Sequence, residues 1–273
     1  MQQPDKDPDG PYGTWESSPR RLISYRHLGC SSVVLDRDHA EGRMAVRGDM
    51  RTPGGVLAAP VAIAMLDTAG INVDPLYQLA LTHVEIHLFG ATLNNLRTLG
   101  RIVREARTQV FTDARFEDVD HPEHPVGYGV ADWAVIKPAS PGFEYINPGK
   151  GLPDWAALPP LTTAFGAHSS IAGGYAIHGL SPEVGEDVLH HGPILVTLEA
   201  AALDCAALAS GTRSLRVETF SVRLVKAGRE GPFHSKAELF QRADATIACR
   251  AEMRDFGANN ALVAAGLVRF RVV

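Results

Sequence analysis

Two aspartates stand inside apolar stretches, Asp67 in VAIAMLDTAG and Asp204 in LEAAALDCAAL. A carboxylate buried there without a partner costs several kcal/mol or is forced to take up a proton. Desolvation of that kind raises the pKa toward neutrality, which makes the group a base able to activate water near pH 7. If the stretches are helical, their amino ends add partial positive charge and unpaired N–H donors, the environment an oxyanion needs. Base and donors together suffice for hydrolysis of an activated carbonyl without a metal. The plainer use of the same residues is structural: each aspartate caps a neighbouring strand, or the two meet across a pseudo-twofold axis.

Other titratable residues point less directly to chemistry. His121, Glu123 and His124 lie in HPEHP, where a metal site would need further ligands that the sequence does not fix, and where a solvated hairpin turn is the simpler reading. His190 and His191 precede an apolar stretch and either touch a substrate carbonyl or lead into a helix. His83 and His87 alternate with Val84, Ile86 and Leu88, so on a strand they point away from the apolar face and read as exposed. Arg97, Arg101, Arg104 and Arg107, with Arg223, Lys226 and Arg229, either meet phosphates or form a soluble face. There is no nucleophile elbow, phosphate loop or dinucleotide fingerprint.

The elements that carry these residues come in two copies. Adding 137 to a residue number pairs Gly29 with Gly166, Gly42 with Gly179, Gly48 with Gly185 and Gly55 with Gly192. Without a gap, the same shift pairs Leu66-Asp67 with Leu203-Asp204, Thr82 with Thr219, Asp118 with Asp255 and Gly129 with Gly266. Val110, Thr112, Ala114 and Phe116 fall on Ile247, Cys249, Ala251 and Met253, alternating as half-buried strands do. Shared turn glycines, strand phase and a shared acid in an apolar run identify a tandem duplication. Each half reads as an extended region (to Gly48; 162–179), a helix (54–70; 192–209) and four strands. The strands fall near 78–89, 97–106, 109–119 and 126–136, then near 213–226, 233–242, 246–255 and 261–272. Both helices are apolar nearly all round and should be wrapped by their sheets. The expected organisation is a flexible arm at 1–19, one unit at 20–137, a Pro/Gly-rich connector at 138–161 and a second unit at 162–273.

A formal charge of −5 argues against a general nucleic-acid binder, which needs surplus Lys and Arg to displace phosphate counterions. The longest apolar run, 56–71, is too short to span a bilayer and contains Asp67. Three cysteines without metal-ligand spacing, and an N-terminus without the basic and apolar regions of a secretory signal, suggest a cytoplasmic chain.

A buried helix inside a curled antiparallel sheet, preceded by Gly54-Gly55 and carrying Leu66-Asp67-Thr68-Ala69-Gly70, resembles the hotdog-fold acyl-CoA thioesterases. Together the halves look like a double hotdog, an α+β fold. The resemblance implies a thioester substrate such as acyl-CoA, no cofactor, and an internal pseudodimer able to pair again. It also implies that a Gly-rich turn donates N–H groups to the thioester oxygen while a helix carboxylate directs water or attacks the carbonyl. Those roles map to Gly54, Gly55 and Asp67, and in the second half to Gly192 and Asp204, with Thr68 and His191 as further substrate contacts. The pattern departs at Pro53-Gly54-Gly55 and His191-Gly192-Pro193, and each aspartate sits about one helical turn beyond the simplest spacing. Pro60 explains the first case if the regular helix begins near it. In the second half Glu199, opposite Ala62 of the first, takes the nearer position and rivals Asp204. Two other functions compete. A hotdog hydratase or dehydratase would use an Asp/His pair on a loop, but Asp120-His-Pro-Glu-His124 lacks the asparagine of that motif. A noncatalytic acyl-binding protein would hold both aspartates in structural hydrogen bonds.

Overall fold

Alternating apolar residues and turn glycines drive the chain into long strands, and the two alanine-rich apolar runs into helices. The computed structural model describes residues 24–73, 76–90, 93–138, 154–170 and 173–273. The expected arm and most of the connector, 139–153, lie outside these residues.

The first half comprises β1 (Ser31–Val34), β2 (His39–Ala45), a small hairpin of β3 (Arg51–Thr52) and β4 (Gly55–Val56), α1 (Ala58–Gly70), β5 (Tyr77–Leu88), β6 (Asn95–Glu105), β7 (Gln109–Asp118) and β8 (His121–Pro138). The second comprises α2 (Leu161–Ala164), β9 (His168–Ser169), β10 (Tyr175–Ile177), α3 (His191–Ser210), β11 (Leu215–Leu224), β12 (Phe233–Ala243), β13 (Thr246–Asp255) and β14 (Ala261–Val272). All strands but the small hairpin form one twelve-stranded sheet, ordered β1-β2-β6-β7-β8-β5-β11-β14-β13-β12-β10-β9. The halves join where β5 pairs antiparallel with β11, Val84 opposite Val222 and Ile86 opposite Phe220. Pairing registers repeat between them: Leu99 faces Arg115 and Arg101 faces Asp113, just as Lys236 faces Glu252 and Glu238 faces Arg250.

Every residue of α1 except Asp67 is buried, so the expectation of a wrapped helix holds there. It fails for the end of α3, where the sheet stops short and Leu208 is 88% exposed. By length and composition α3 would be long enough to cross a membrane, yet most of it is packed inside the protein. The second half's extended region also differs from expectation, opening with the single turn of α2 and offering only the short β9 and β10.

α1 begins at Ala58 rather than at Gly54 or Pro60, so Pro60 sits third in the helix, where its missing N–H leaves no bond unmade. Gly54 instead belongs to the turn of the β3–β4 hairpin, held by Thr52, whose hydroxyl accepts from the Gly54 N–H and donates to the Leu215 carbonyl. A Cβ at Gly54 would lie 2.5 Å from the Leu215 carbonyl carbon and oxygen, backbone atoms that cannot swing aside. Gly54→Ala should therefore destabilise the fold by about 1–3 kcal/mol in urea unfolding. An unchanged midpoint would mean that the hairpin is not pressed against β11.

The same end of the molecule is tied together by Arg47, buried and paired with Asp49 at 2.9 Å. Its guanidinium donates to the His27 carbonyl at 2.9 Å, and Asp49 accepts the Leu161 N–H at 3.1 Å. One buried ion pair thus fastens the start of the second half to the first.

Candidate active site

α1 and α3 lie antiparallel and each reaches the amino end of the other. Asp67 is the tenth residue of α1 and Glu199 the ninth of α3, so each stands about 13 Å along its helix. At that height Asp67 meets His191, the first residue of α3, with Oδ1 3.8 Å from Nε2. Glu199 meets the start of α1 and accepts the N–H groups of Ala58 at 2.6 Å and Ala59 at 2.9 Å.

The 137-residue offset places Asp204 opposite Asp67, but the structure does not treat them alike. The helices start at Ala58 and His191, 133 residues apart, so α3 begins one turn early relative to the repeat. Counted from the helix start, Glu199 takes the height that Asp67 has in α1, and Asp204 lies one turn too far. Its side chain is 42% exposed and is bound by Arg213 at 2.8 Å and the Tyr175 hydroxyl at 3.0 Å. The expectation of a buried, desolvated Asp204 is thus corrected, and its partners are those of a structural residue.

The expected donors also move. Gly54 and Gly55 are spent in the β3–β4 hairpin, and at α1 the amides of Ala58 and Ala59 stand in their place. At α3 the Gly192 N–H is capped by Nδ1 of His190 at 3.4 Å, and Pro193 has no N–H. That leaves the amide of His191, which has no acceptor within the helix. Thr68 is fully buried beside Asp67, its hydroxyl 3.0 Å from that of Ser32. Gly42 makes this approach possible, since a Cβ there would sit 2.2 Å from the Thr68 hydroxyl.

Three histidines gather at the amino end of α3. The rings of His190 and His191 lie 3.8 Å apart, and His27 packs edge-on against Phe165. All stay neutral. Burial, then Arg26, takes His27 down to about 4; burial, then His27, takes His190 to about 4. Burial, then His190, holds His191 well below the ordinary histidine value. The Nε2 atom of His191 is buried and has no hydrogen-bond partner. With a neutral ring and the tautomer protonated at Nε2, it is a donor facing a carboxylate across a gap that a substrate oxygen or a water would complete. The sequence singles out His190 with His191 by their place before the apolar run, whereas the involvement of His27 has no signal there, because its burial depends on distant elements.

Glu199 is pushed the other way, up to about 7, chiefly by burial and against the pull of the two amides. These shifts carry a pH signature. Below an unfolded value near 6.5, the unfolded chain takes up protons that the folded histidines refuse, so stability falls as pH drops from 6.5 toward 4. Glu199 acts oppositely: the fold keeps its proton between about 4.5 and 7, so that contribution is lost as pH rises through 7. Each proton is worth about 1.4 kcal/mol per pH unit, and the histidines outnumber the carboxyl. Melting temperature should therefore climb between pH 4.5 and 6.5; a flat or falling profile would contradict the buried, neutral cluster.

The remaining candidates stand elsewhere. His83 and His87 do point outward from β5, but His83 is only 13% exposed, with Nε2 3.2 Å from the Ser221 hydroxyl and Nδ1 3.5 Å from Asp132. His121 and Glu123 are exposed at the start of β8, and no group of three or more His, Cys, Asp or Glu among the described residues could hold a metal ion. The side chain of His124 lies outside those described. Arg97 and Arg101 are carboxylate-paired on the sheet's outer face, while Arg104, Arg107, Arg223, Lys226 and Arg229 are exposed.

No protein-family model matches the chain, and no curated protein matches it. Solved structures do. A tesB protein from Mycobacterium avium subs paratuberculosis superposes with a TM-score of 0.61 at 11% identity, over 89% of this chain and 95% of that one. An acyl-CoA thioesterase II from Mycobacterium marinum gives 0.56 at 13% identity, over 89% and 95%. A hot dog fold protein from Alicyclobacillus acidocaldarius gives 0.53 at 13% identity, over 88% and 95%. Two wrapped helices, one continuous antiparallel sheet and coverage of nearly the whole of both chains make this architecture the double hotdog, the α+β fold of solved thioesterases.

Proposed function

We propose that the chain hydrolyses an acyl thioester, of the acyl-CoA type, at the junction of Asp67 with the amino end of α3. The observation that carries this reading is the buried Nε2 of His191, which has no hydrogen-bond partner and faces the Asp67 carboxylate at the amino end of α3. A donor left unmade inside a fold costs stability, and an incoming acceptor recovers it. The name of the M. marinum structure, an acyl-CoA thioesterase II, agrees with the reaction class.

In this mechanism the carbonyl oxygen of the thioester lies against the N–H and Nε2–H of His191, and a water lies against Asp67. Water attacks the carbonyl carbon, its proton passes to Asp67, and the carbonyl electrons move onto oxygen, stabilised by the two donors and the α3 dipole. The tetrahedral adduct then collapses: the C–S bond breaks, the departing thiolate takes the proton from Asp67, and a carboxylic acid and a thiol leave. His191 works as a neutral donor, since burial keeps a charge off its ring.

The α1 junction is already filled, because Glu199 occupies both amides that would receive a substrate oxygen. One working junction per chain follows. Thiol release from short, long and aromatic acyl-CoAs, measured for the intact protein and for Asp67→Asn, tests the proposal. Activity that depends on Asp67 supports it, and no release from any thioester overturns it. Hydration of a 2,3-unsaturated thioester without thiol release would instead select the hydratase reading, to which an Asp/His pair also lends itself.

A further inference from the structure

The first half carries a second recess, on the face of the sheet turned away from α1. An open depression of about 780 Å³ is lined by Leu35, Phe89, Leu99, Tyr128, Arg101 and Arg115, with Asp113 in its floor. Its position on the outer face follows from Gly100, whose other side meets Ala69 of α1, so that its neighbours Leu99 and Arg101 point outward. Leu99, Arg115 and Tyr128 stand side by side across β6, β7 and β8. Phe89 follows the end of β5 and is 62% exposed.

The second half offers an internal comparison at the same register. Lys236, Glu252 and Ala265 pair in a row where the first half has Leu99, Arg115 and Tyr128, and Lys226 takes the place of Phe89. A charged, solvated strip is therefore compatible with this fold. The exposed leucine and aromatic rings of the first half are not a requirement of the architecture, and a contiguous apolar patch of this kind marks a binding surface.

The polar rim says what the ligand carries. Both oxygens of Asp113 are engaged, by Arg101 at 2.8 and 2.9 Å and by the Tyr128 hydroxyl at 2.8 Å. Asp36 at the edge is likewise engaged by the N–H groups of Asp38 and His39 and by the His39 ring. The donors are not exhausted: Arg115 spends only Nε, on Glu117 at 2.9 Å, and Arg101 keeps one terminal nitrogen unused. The solvent-facing guanidinium nitrogens of the site are therefore available to an incoming acceptor, and guanidinium groups suit a carboxylate.

We propose that this groove binds an amphipathic carboxylate, its alkyl or aryl body over Leu99, Phe89 and Tyr128 and its carboxylate on Arg115 and Arg101. The volume falls in the range of small-molecule sites, roughly 300–1,000 Å³. The proposal is independent of the hydrolase reading, since none of these residues belongs to the Asp67 junction.

Calorimetric titration of the full chain with decanoate and with 2-naphthoate tests it, using variants that install the second half's residues. Wild type should bind at least one of the two with a dissociation constant under roughly 1 mM. Arg115→Glu should weaken binding about tenfold or more, and Leu99→Lys with Tyr128→Ala should remove it, in variants that circular dichroism shows to be folded. Arg115→Gln serves where the glutamate variant does not fold. Absence of binding to wild type overturns the proposal, as does equal binding by wild type and the variants, which would place the ligand elsewhere.

Discussion

Asn at position 67 should abolish thiol release while the protein stays folded. The substitution keeps size and shape but removes the carboxylate that stands 3.8 Å from His191 at the amino end of α3, so water would lose its base. A positioned general base contributes about 10²–10⁴-fold to rate, and a fall of that size is expected in kcat for every thioester turned over. A circular dichroism melt should still show a cooperative transition, since asparagine conserves the volume of the side chain. The informative contrast is Glu199→Gln. If that variant were silent and Asp67→Asn active, the working junction would be the α1 end and the assignment made here would be inverted.

Truncating Glu199 should produce the largest loss of stability of any single change at the helix pair. In Glu199→Ala, the amides of Ala58 and Ala59 lose their acceptor where water does not reach, and a cavity opens between α1 and α3. Two unsatisfied buried donors and the void should cost roughly 3–5 kcal/mol in urea unfolding. Glu199→Gln, which keeps one acceptor oxygen and the volume, should cost less. Turnover per folded molecule in the glutamine variant should stay within about threefold of wild type, since the group acts on α1 rather than on substrate. A further sign separates this residue from a mere packing group: without its raised pKa, its opposing contribution between pH 4.5 and 7 disappears, so the climb due to the histidines steepens. A loss below roughly 1 kcal/mol would show that the two amides find water.

Much of the scaffold was legible because its signals are local. The alternation at Val110, Thr112, Ala114 and Phe116 places a strand near 109–119, and β7 spans Gln109–Asp118. Its partner in the repeat, expected at 246–255, is β13 at Thr246–Asp255. The site was less legible, because a sequence offset measures residues whereas a helix pair measures height. The repeat equates Asp67 with Asp204, but α3 gains a turn at its amino end, and that turn promotes Glu199 and expels Asp204 toward Arg213. Pairing between halves was hidden for the same reason, since nothing local states that an acid of one helix addresses the start of the other. The resemblance makes Gly54 and Gly55 donors to substrate, whereas the structure spends them in the β3–β4 hairpin. Thr52-Pro53-Gly54-Gly55 also has the composition of a tight turn, and the close passage of β11 makes that use prevail.

The reciprocal reach of the two helices has a consequence for how the molecule comes apart. α1 begins on a carboxylate owned by the second half, the first half's Asp67 stands against the first residue of α3, and β5 and β11 share one ladder. Neither half contains its own complement, so neither can unfold and leave the other as it was. Denaturation should therefore proceed as one cooperative transition, with the steep denaturant dependence of the whole buried surface rather than of half of it. Being written in one chain, the two halves stand at high effective concentration, each beside the partner it needs to finish folding.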